Sequence, residues 1–439
     1  MSLFGAMNSA ISGLAAQSDA FGHISDNVAN SQTVGFKRVD TSFVDFLTTS
    51  SKTTNDPGAV VARPDYVNGV QGTITQTEAP LNMAVAGAGF FAVSQQTGQL
   101  NGQPTFNPQQ FYSRAGDFQL NKDGYLVNSA GQFLNGWLSD PTTGIVAQNK
   151  IVPIQVAQTV LNPVATSNVV LSANLPATPA AGTGTVASPI SSDISVYDSL
   201  GTGHTVTLAW AQNAANDWTV TISSPDARTP AIGSADVQFG LASGNGVPAG
   251  TIGQVGQTTG TIATAGYSAG TSAIMNMTMD FGSGPQAIQL NLGTYGGSTG
   301  VTQYAGTTYN LEGLTQDGVP PGSYTGVSAQ ANGSVVVNYN NGQSRTIAQV
   351  PLITFNNPDA LQRQNGQSFT ATVDSGTPLA QQVSTNGAGN LVTSSVESSN
   401  VDIAAEFSKL IVAQRAYSAN TKVVTTSDDM LQQTIDMKR

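Results

Sequence analysis

The sequence predicts a mainly β protein with an α-helix at each end, the two helices being paired in a coiled coil. Two observations lead to this fold class. Both ends of the 439-residue chain carry a narrow apolar stripe that repeats about every 3.5 residues. The long middle is rich in glycine and in uncharged polar residues, and short runs within it alternate between apolar and polar side chains.

The N-terminal stripe predicts one helix over residues 2–30. Small side chains at Ala6, Gly13 and Ala20 line one flank of this helix, where a second backbone could approach closely. The stripe itself alternates steps of four and three and is interrupted only at Gln17. Its members, which we assign to the coiled coil and to assembly, are Leu3, Met7, Ala10, Leu14, Phe21, Ile24 and Val28.

The C-terminal stripe predicts a second helix from about Val401 to near the end of the chain, opened by the capping box Ser399-x-x-Asp402. The same period recurs, with polar interruptions at Gln414, Thr421 and Asp428: Ile403, Phe407, Leu410, Tyr417, Val424, Leu431 and Ile435. Neither stripe has a neighbouring segment to bury it, so we expect the two helices to pair. An internal helix pair and a pair that also assembles with other copies both fit this period.

The middle of the chain predicts antiparallel hairpins. Phe118 to Val127 alternate around a turn at residues 121–124, and a second turn follows at residues 129–131. Alternating runs also flank turns at residues 213–217 and 340–342. The segments 176–189 and 226–273 are rich in small residues and are expected to form long loops or weak strands.

Composition excludes several classes of function. The net charge is −11 and no Lys or Arg lies between Arg228 and Arg345, which argues against nucleic acid as a partner. The chain has no cysteine, so disulfides, thiolate metal sites and cysteine catalysis are ruled out. No apolar run is long enough for a membrane-spanning helix. The first basic residue is Lys37, so no conventional secretory signal is predicted.

No catalytic, cofactor-binding or metal-binding residue is predicted, and an enzyme is not expected. His23 is expected on a solvated helix face near Asp19, and His204 at the surface in a glycine-rich turn that enters a strand. Gly87-Ala88-Gly89 lacks the lysine and the helix start of a phosphate loop, and is interpreted as the entry to a strand. The carboxylates of the last helix, at residues 402, 406, 428 and 429, are expected to face solvent.

Motifs at the two ends resemble the flagellar rod and hook protein family. At the N-terminal end they are Ile24-Ser25-Asp26-Asn27-Val28-Ala29-Asn30 and Thr33-x-Gly35-Phe36-Lys37, where Asp26 replaces the family's first asparagine. At the C-terminal end they are residues 397–402 and 413–420. The motif residues to which the resemblance gives a role are Asn27, Asn30, Gly35, Phe36, Asn400, Asp402, Gln414 and Arg415.

The resemblance continues inward at residues 81–91 and 112–118, and hook-like segments follow at residues 197–201, 216–218, 317–318 and 339–342. About 165 residues, from roughly Val152 to Asp317, separate the halves of the first β domain. Rod members of the family are shorter and lack this insertion, so the resemblance is to the hook branch. For residues 226–300 we can name no resemblance, and their interpretation rests on composition alone.

The resemblance implies four parts: a helical coiled-coil core (1–30 and 400–439), a connecting segment (31–66), a first β domain (67–151 and 318–399) and an inserted outer β domain (152–317). It implies a structural subunit that self-assembles into a curved, flexible hollow tube and transmits motor torque as a universal joint.

The resemblance also implies export through the flagellar type III apparatus without a cleaved signal, and a place in the extracellular hook. The implied partners are further copies of the chain, a hook cap, the distal rod and hook–filament junction proteins, with neither nucleic acid nor membrane insertion. A distal rod or other axial subunit is the nearer alternative, and a secreted β-rich adhesin is the farther one.

Overall fold

The computed structural model describes residues 3–50, 55–140, 144–177, 189–240 and 246–437. The described chain begins with helix α1 (Leu3–Ala29) and ends with helix α2 (Ile403–Asp436), with β-strands between them. The prediction of a mainly β protein with a helix at each end is therefore confirmed. The chain divides into two compact units: unit 1 comprises residues 1–158, 325–338 and 344–439, and unit 2 comprises residues 159–324 and 339–343.

The first part of unit 1 contributes α1 and eleven strands. In chain order they are β1 (Val39–Ser50), β2 (Asn55–Tyr66), β3 (Ile74–Gln76), β4 (Met83–Ala86), β5 (Phe90–Leu100), β6 (Gln103–Phe106), β7 (Phe111–Ser113), β8 (Gln119–Leu120), β9 (Leu126–Val127), β10 (Gln132–Ser139) and β11 (Val146–Pro153). The long hairpin β1–β2 pairs Val39 with Tyr66 and follows directly on α1. Strands β8 and β9 pair Leu120 with Leu126, which confirms the predicted hairpin.

Unit 2 contains the next eleven strands: β12 (Asn168–Asn174), β13 (Ile190–Tyr197), β14 (Gly203–Ala214), β15 (Asp217–Ser223), β16 (Ala231–Phe239), β17 (Ile252–Gly256), β18 (Ala263–Thr264), β19 (Ser272–Asp280), β20 (Pro285–Thr294), β21 (Val301–Thr302) and β22 (Asn310–Gln316). One sheet has the antiparallel order β13-β14-β15-β16-β17, and a second is built around β12, β19 and β20. Trp210 and Trp218 are fully buried in the core that the two sheets share. Their positions confirm the predicted period-two alternation.

The remaining strands return the chain toward α2: β23 (Tyr324–Ala329), β24 (Ser334–Tyr339), β25 (Ser344–Gln349), β26 (Leu352–Thr354), β27 (Gln362–Gln364), β28 (Ser368–Thr370), β29 (Leu379–Gln381), β30 (Asn390–Thr393) and β31 (Ser395–Glu397), with a 3-10 helix at Pro358–Ala360. The main sheet of unit 1 follows the order β23-β24-β25-β10-β5-β7-β28-β27. Two short pairs, β3–β31 and β4–β30, tie the strands that follow the β1–β2 hairpin to the strands that precede α2. The two chain ends therefore meet in unit 1.

Two local expectations about the middle of the chain can be compared with the structure. The segment 226–273, expected to form long loops or weak strands, contains strands β16, β17 and β18. His204, expected at the surface in a glycine-rich turn that enters a strand, does lie at the start of β14, but it is half-buried, with its ring stacked on Phe281 at 4.1 Å between centroids. Its ring nitrogens face the carboxylates of Asp198 and Asp226 at 3.5 and 3.6 Å. The predicted loop 176–189 lies mostly outside the described residues.

Candidate functional site

The helices α1 and α2 pack side by side in opposite directions. Near the end of α1, Asn27 contacts Glu406 in the first turns of α2, with 3.0 Å between Nδ2 and Oε2. Phe21 and Tyr417 meet edge to face, with ring centroids 6.3 Å apart. Gly13 lies against Asn420, and a Cβ at that position would come within 2.7 Å of the Asn420 amide nitrogen. The glycine thus allows the two helices to approach closely.

The predicted stripe of α1 is largely covered within one chain. Ala10 and Ile24 are buried, and Met7, Leu14, Phe21 and Val28 are half-buried. The side chain of Leu3 lies outside the described residues. The elements that cover this stripe are α2 and β2. The contact with β2 includes a hydrogen bond in which the Ser12 hydroxyl accepts from the Val60 amide at 3.2 Å.

The buried face of α2 is offset by one residue from the predicted stripe. Glu406, Ala413 and Ser427 are buried, and Leu410, Val424 and Leu431 are half-buried. These positions keep the alternating four-and-three spacing but share only part of the predicted set. The predicted residues left exposed within the chain are Ile403, Phe407, Tyr417 and Ile435. Their role in assembly stays a prediction, as does that of the exposed motif residues Gln414 and Arg415.

Asn27 connects α1, β1 and α2 through the hydrogen bonds of its side chain. Its amide is fully buried, donates to the Val39 carbonyl at 2.8 Å and accepts from the Val39 amide at 2.9 Å. The same amide nitrogen also donates to Oε2 of Glu406. The other carboxylate oxygen of Glu406, Oε1, accepts from Lys409 at 2.7 Å. The expectation that Glu406 faces solvent is wrong, because this carboxylate is buried among hydrogen-bond donors.

Lys409 extends this network to β1 with a bond of 2.6 Å to the carboxylate of Asp40. Partial burial raises the pKa of Asp40, but the bond and charge of Lys409 outweigh it, and the pKa lies below its ordinary value. Burial alone would lower the pKa of Lys409. The carboxylates of Asp40 and Glu406 outweigh burial, so the pKa of Lys409 lies above its ordinary value. Both groups are therefore held in their charged forms across the junction between α2 and β1.

The exit from α1 is a tight turn fixed by the other N-terminal motif residues. Asn30 donates to the carbonyl and to the carboxylate of Asp26, both at 2.9 Å. Gly35 has a left-handed backbone (φ +70°), and a Cβ there would meet the amide nitrogen of Ala115 at 2.4 Å. Phe36 is buried beneath the guanidinium of Arg363, 4.7 Å from its ring centroid. These residues turn the chain from the helix into the β region.

The entry to α2 is fixed by Asn400 and Asp402. The side chain of Asn400 accepts from the Arg38 amide at 2.7 Å and donates to the carbonyls of Val67 and Val70, each at 3.1 Å. Asp402 is the N-cap of α2, accepting from the amides of Ala404 and Ala405. The helix therefore begins two residues after the predicted start at about Val401, and its N-cap is Asp402 rather than Ser399, the first residue of the predicted capping box.

A buried cluster of three charges lies between the two chain ends, and the sequence did not predict it. Lys37 bonds Glu397 at 2.6 Å, and Arg114 bonds the other oxygen of Glu397 at 3.1 Å. Lys37 also donates to the Val70 carbonyl, and Arg114 donates to the carbonyls of Val85 and Gly87. Burial, only partly offset by Glu397, lowers the pKa of Lys37 to about 8.

An open groove of about 550 Å³ lies between α1, β1 and the first half of α2. Its walls include Ala20 and Ile24 from α1, Phe43 from β1, and Val412 and Ala416 from α2. Phe43 and Val412 are 47% and 67% exposed, so the groove presents uncovered apolar surface at one end of the helix pair. The groove is also lined by the charged side chains of Asp40, Glu406 and Lys409.

Chemical groups of other kinds are sparse in the described part of the chain. The ring of His23, expected near Asp19, contacts the hydroxyl of Thr41 at 2.9 Å. Across the described residues, no cluster of three or more His, Asp or Glu side chains has the arrangement of a metal site. Among the residues that the structure describes, no helix combines the length and the apolar character needed to cross a membrane.

Four family models match separate segments of the chain. They are described as "Flagella basal body rod protein" (residues 7–37), "Flagellar hook protein FlgE/F/G D1 domain" (84–163), "Flagellar basal body protein FlaE D2 domain" (170–319) and "Flagellar basal body rod FlgEFG protein C-terminal" (392–437). They occur in chain order and include both terminal helices and both compact units.

Relatives align along the whole chain. The flagellar hook protein FlgE of Brucella abortus is 29% identical over 443 residues, covering 100% of both chains. That of Rhizobium meliloti is 28% identical over 446 residues with the same coverage, and that of Salmonella typhimurium is 28% identical, covering 98% of this chain and 99% of its own. A solved structure, the Helicobacter pylori flagellar hook protein FlgE2, matches 74% of this chain and 100% of its own at TM-score 0.49 and 13% identity.

The chain belongs to the flagellar basal body rod and hook protein family, a structural class rather than an enzymatic one. Because the full-length relatives above are hook proteins, it falls within the hook branch of that family. The resemblance predicted from the terminal motifs is thereby confirmed.

Proposed function

We propose that this chain is the structural subunit of a flagellar hook, and that its copies self-assemble through the terminal helices into a curved, flexible, hollow tube. One observation supports this assembly most directly. After α1 and α2 have packed together, α2 still presents Phe407, Val412 and Ile435 at 52%, 67% and 66% exposure. These side chains recur along the length of α2, and repeated exposed apolar side chains on one helix mark a surface that other protein covers.

The helix pair would form a coiled-coil core domain near the axis of the tube. The antiparallel contacts from Gly13–Asn420 to Asn27–Glu406 support this pairing, as does the four-and-three spacing of the covered face of α2. The motif residues Asn27, Asn30, Gly35 and Phe36 at the exit, and Asn400 and Asp402 at the entry, would hold the core to the β domain. Gln414 and Arg415 remain for contacts with other copies.

The β part would project outward as two domains, the outer inserted into the inner. We retain the proposed boundaries of 1–30 and 400–439 for the core, 31–66 for the connecting segment, 67–151 and 318–399 for the first β domain, and 152–317 for the inserted domain. The hydrogen bonds of Asp317 to Ser167 and Asn168, at 2.6 to 2.9 Å, support an insertion whose two ends lie together.

Torque transmission as a universal joint requires neighbouring outer domains to slide while the core stays packed. Only 9% of the residues are charged, and uncharged polar surfaces tolerate shifted contacts better than directional ion pairs do.

The remaining proposals follow from the family: export by the type III apparatus without a cleaved signal, an extracellular position in the hook, and contacts with a hook cap, the distal rod and junction proteins.

Electron microscopy of the purified full-length chain under polymerising conditions tests this function. Curved hollow tubes of uniform diameter are expected. Straight tubes would instead indicate a rod-type axial subunit, and a protein that stays monomeric under every condition tested would contradict assembly altogether.

A further inference from the structure

The side chain of His204 continues the inward face of β14. Val206, Leu208 and Trp210, at the next alternate positions of this strand, are buried in the core of unit 2. The pairing with β13 places His204 opposite Val196, which is also buried. Only 11% of the His204 side chain is exposed. A titratable ring therefore occupies the first core-facing position of β14.

Three further parts of unit 2 meet at this ring. Phe281, which follows β19 in the second sheet, stacks on the ring with 3° between the planes. Asp198, between β13 and β14, places Oδ2 3.5 Å from Nε2, and Asp226, in the turn after β15, places Oδ2 3.6 Å from Nδ1. Among the described residues, none forms a hydrogen bond of normal geometry with the buried Nε2. The ring thus lies between two carboxylates, one at each nitrogen.

Both carboxylates are held in place by backbone amides. Oδ1 of Asp198 accepts from the amides of Leu200 and Thr202 at 2.9 and 2.8 Å, which leaves Oδ2 directed at the ring. Burial raises the pKa of Asp198, but these hydrogen bonds and the ring outweigh it, so the pKa lies below its ordinary value and the group stays ionised. Oδ2 of Asp226 accepts from the Thr205 amide at 3.3 Å.

Other ionisable side chains on these elements are directed elsewhere. Arg228, just after Asp226, pairs with Asp280, next to Phe281, with 3.5 Å between Nη1 and Oδ2. Tyr197 of β13 follows Val196 and so points to the opposite face of the sheet. The charges that act on the ring are therefore those of the two carboxylates.

We propose that His204 is a proton-dependent contact that closes this end of the core of unit 2. A neutral imidazole carries one N–H, so it can donate to one carboxylate while the lone pair of its other nitrogen faces the second. A protonated imidazole donates from both nitrogens, attracts both carboxylates and stacks on Phe281 as a cation.

The folded chain therefore binds this proton more tightly than the unfolded chain does. The free energy of unfolding of unit 2 then rises as the pH falls through the range near about 6.5 in which histidine ordinarily titrates. This inference goes beyond the proposed function, because it concerns unit 2 alone and holds whether or not the chain assembles.

The chain has two histidines and three tryptophans, so both the titrating group and the signal can be assigned. Trp210 and Trp218 lie in unit 2, so in a full-length Trp137→Phe background the tryptophan fluorescence during urea unfolding reports unit 2. Between about pH 8 and about pH 5.5, the unfolding equilibrium constant of this protein should fall about fivefold relative to that of the same protein with His204→Gln. Two partly exposed ion pairs together contribute about that factor.

His23→Gln, which removes the other histidine, is the matched control and should leave the fall unchanged. A ratio of the two equilibrium constants that stays constant with pH, or changes in the opposite direction, would overturn the inference. Loss of the fall in His23→Gln would assign it to α1 and contradict the inference as well. If His204→Gln does not fold, Asp226→Asn replaces it: removing one of the two partners should lower the relative fall to about twofold, and no reduction would refute the contact.

Discussion

The Nζ of Lys37 lies 2.6 Å from Oε1 of Glu397, and neither side chain is exposed to solvent. The two residues are 360 positions apart in the chain, one just after α1 and the other just before α2. Arg114 reaches the second oxygen of the same carboxylate from the β domain. One buried carboxylate thereby joins the exit from the first helix, the entry to the second helix and the segment that follows β7.

Removing this carboxylate should strongly destabilise unit 1. Glu397→Gln leaves the charges of Lys37 and Arg114 buried without their partner, and we expect a loss of about 3–5 kcal/mol in the free energy of unfolding. Urea titration followed by helical circular dichroism measures it, since both helices belong to unit 1. The exposed Glu78→Gln is the control, with an expected change within about 0.5 kcal/mol. Similar values for the two variants would show that the cluster does not hold the junction.

The buried lysine should make the stability rise with pH. Burial lowers the pKa of Lys37 to about 8 from 10.5, so between these values the unfolded chain binds a proton that the folded chain has lost. The free energy of unfolding then increases with pH across this window, by at most about 1.4 kcal/mol per pH unit from this group. The free energy of unfolding of the unmodified chain, minus that of Lys37→Met, should therefore increase over that pH range. A difference that stays flat or shrinks would contradict the burial of the charged amine.

Two asparagines of the N-terminal motif should differ sharply in their effect. Asn27→Ala removes the bonds to both backbone groups of Val39 and to Glu406 in a buried site, and should cost about 2 kcal/mol or more in stability. Asn30→Ala removes bonds to Asp26 near the surface, and should cost under about 1 kcal/mol. Urea unfolding followed by helical circular dichroism compares the stability of the two variants. A larger loss of stability from Asn30→Ala would contradict the assignment of Asn27 as the residue that connects α1, β1 and α2.

The helices and the hairpins could be predicted because their signals are local. It could not be predicted which residues of α2 face α1. A stripe of period near 3.5 fits two sets of positions, offset by one residue, that share Leu410, Val424 and Leu431. Hydrophobicity favoured Phe407 over its neighbour, whereas the structure buries Glu406 against Asn27. A polar residue bonded across a helix pair gives no apolar signal, so at this position the periodicity selected Phe407, which stays exposed.

The charge cluster escaped prediction for a different reason. Lys37, Arg114 and Glu397 all lie within or beside segments that carry the family resemblance, but nothing local indicates which of them meet. The scarcity of charge was the available signal: in a chain with 9% charged residues, three charges in such segments are good candidates for a buried cluster. In unit 2, Ala235, Val237 and Phe239 of β16 do alternate with polar residues, but Gly, Ser and Thr are so frequent in the segment 226–273 that its composition favoured loops or weak strands.

The correct cap of α2 can be established by two substitutions. Asp402 accepts hydrogen bonds from the Ala404 and Ala405 amides, so Asp402→Ala should cost about 1 kcal/mol. Ser399→Ala should change stability by less than about 0.5 kcal/mol, because the N-cap of the helix is Asp402, three residues later. The same urea titration applies to both. If Ser399→Ala proved the more costly, the capping box predicted from the sequence would be restored.

The turn out of α1 should tolerate only glycine at position 35. A left-handed backbone costs a residue with a Cβ about 1 kcal/mol or more, and Gly131, at φ +77° with no atom within 4 Å, measures that cost alone. At Gly35 the added Cβ would also meet the Ala115 backbone at 2.4 Å, which forces the exit segment away from the β domain. We therefore expect Gly35→Ala to lose about 3 kcal/mol and Gly131→Ala about 1 kcal/mol in urea unfolding. Because the displaced segment carries Lys37 toward Glu397, Gly35→Ala should also weaken the charge cluster, and adding Glu397→Gln to it should cost less than Glu397→Gln alone. Additive losses would show that the turn and the cluster act independently.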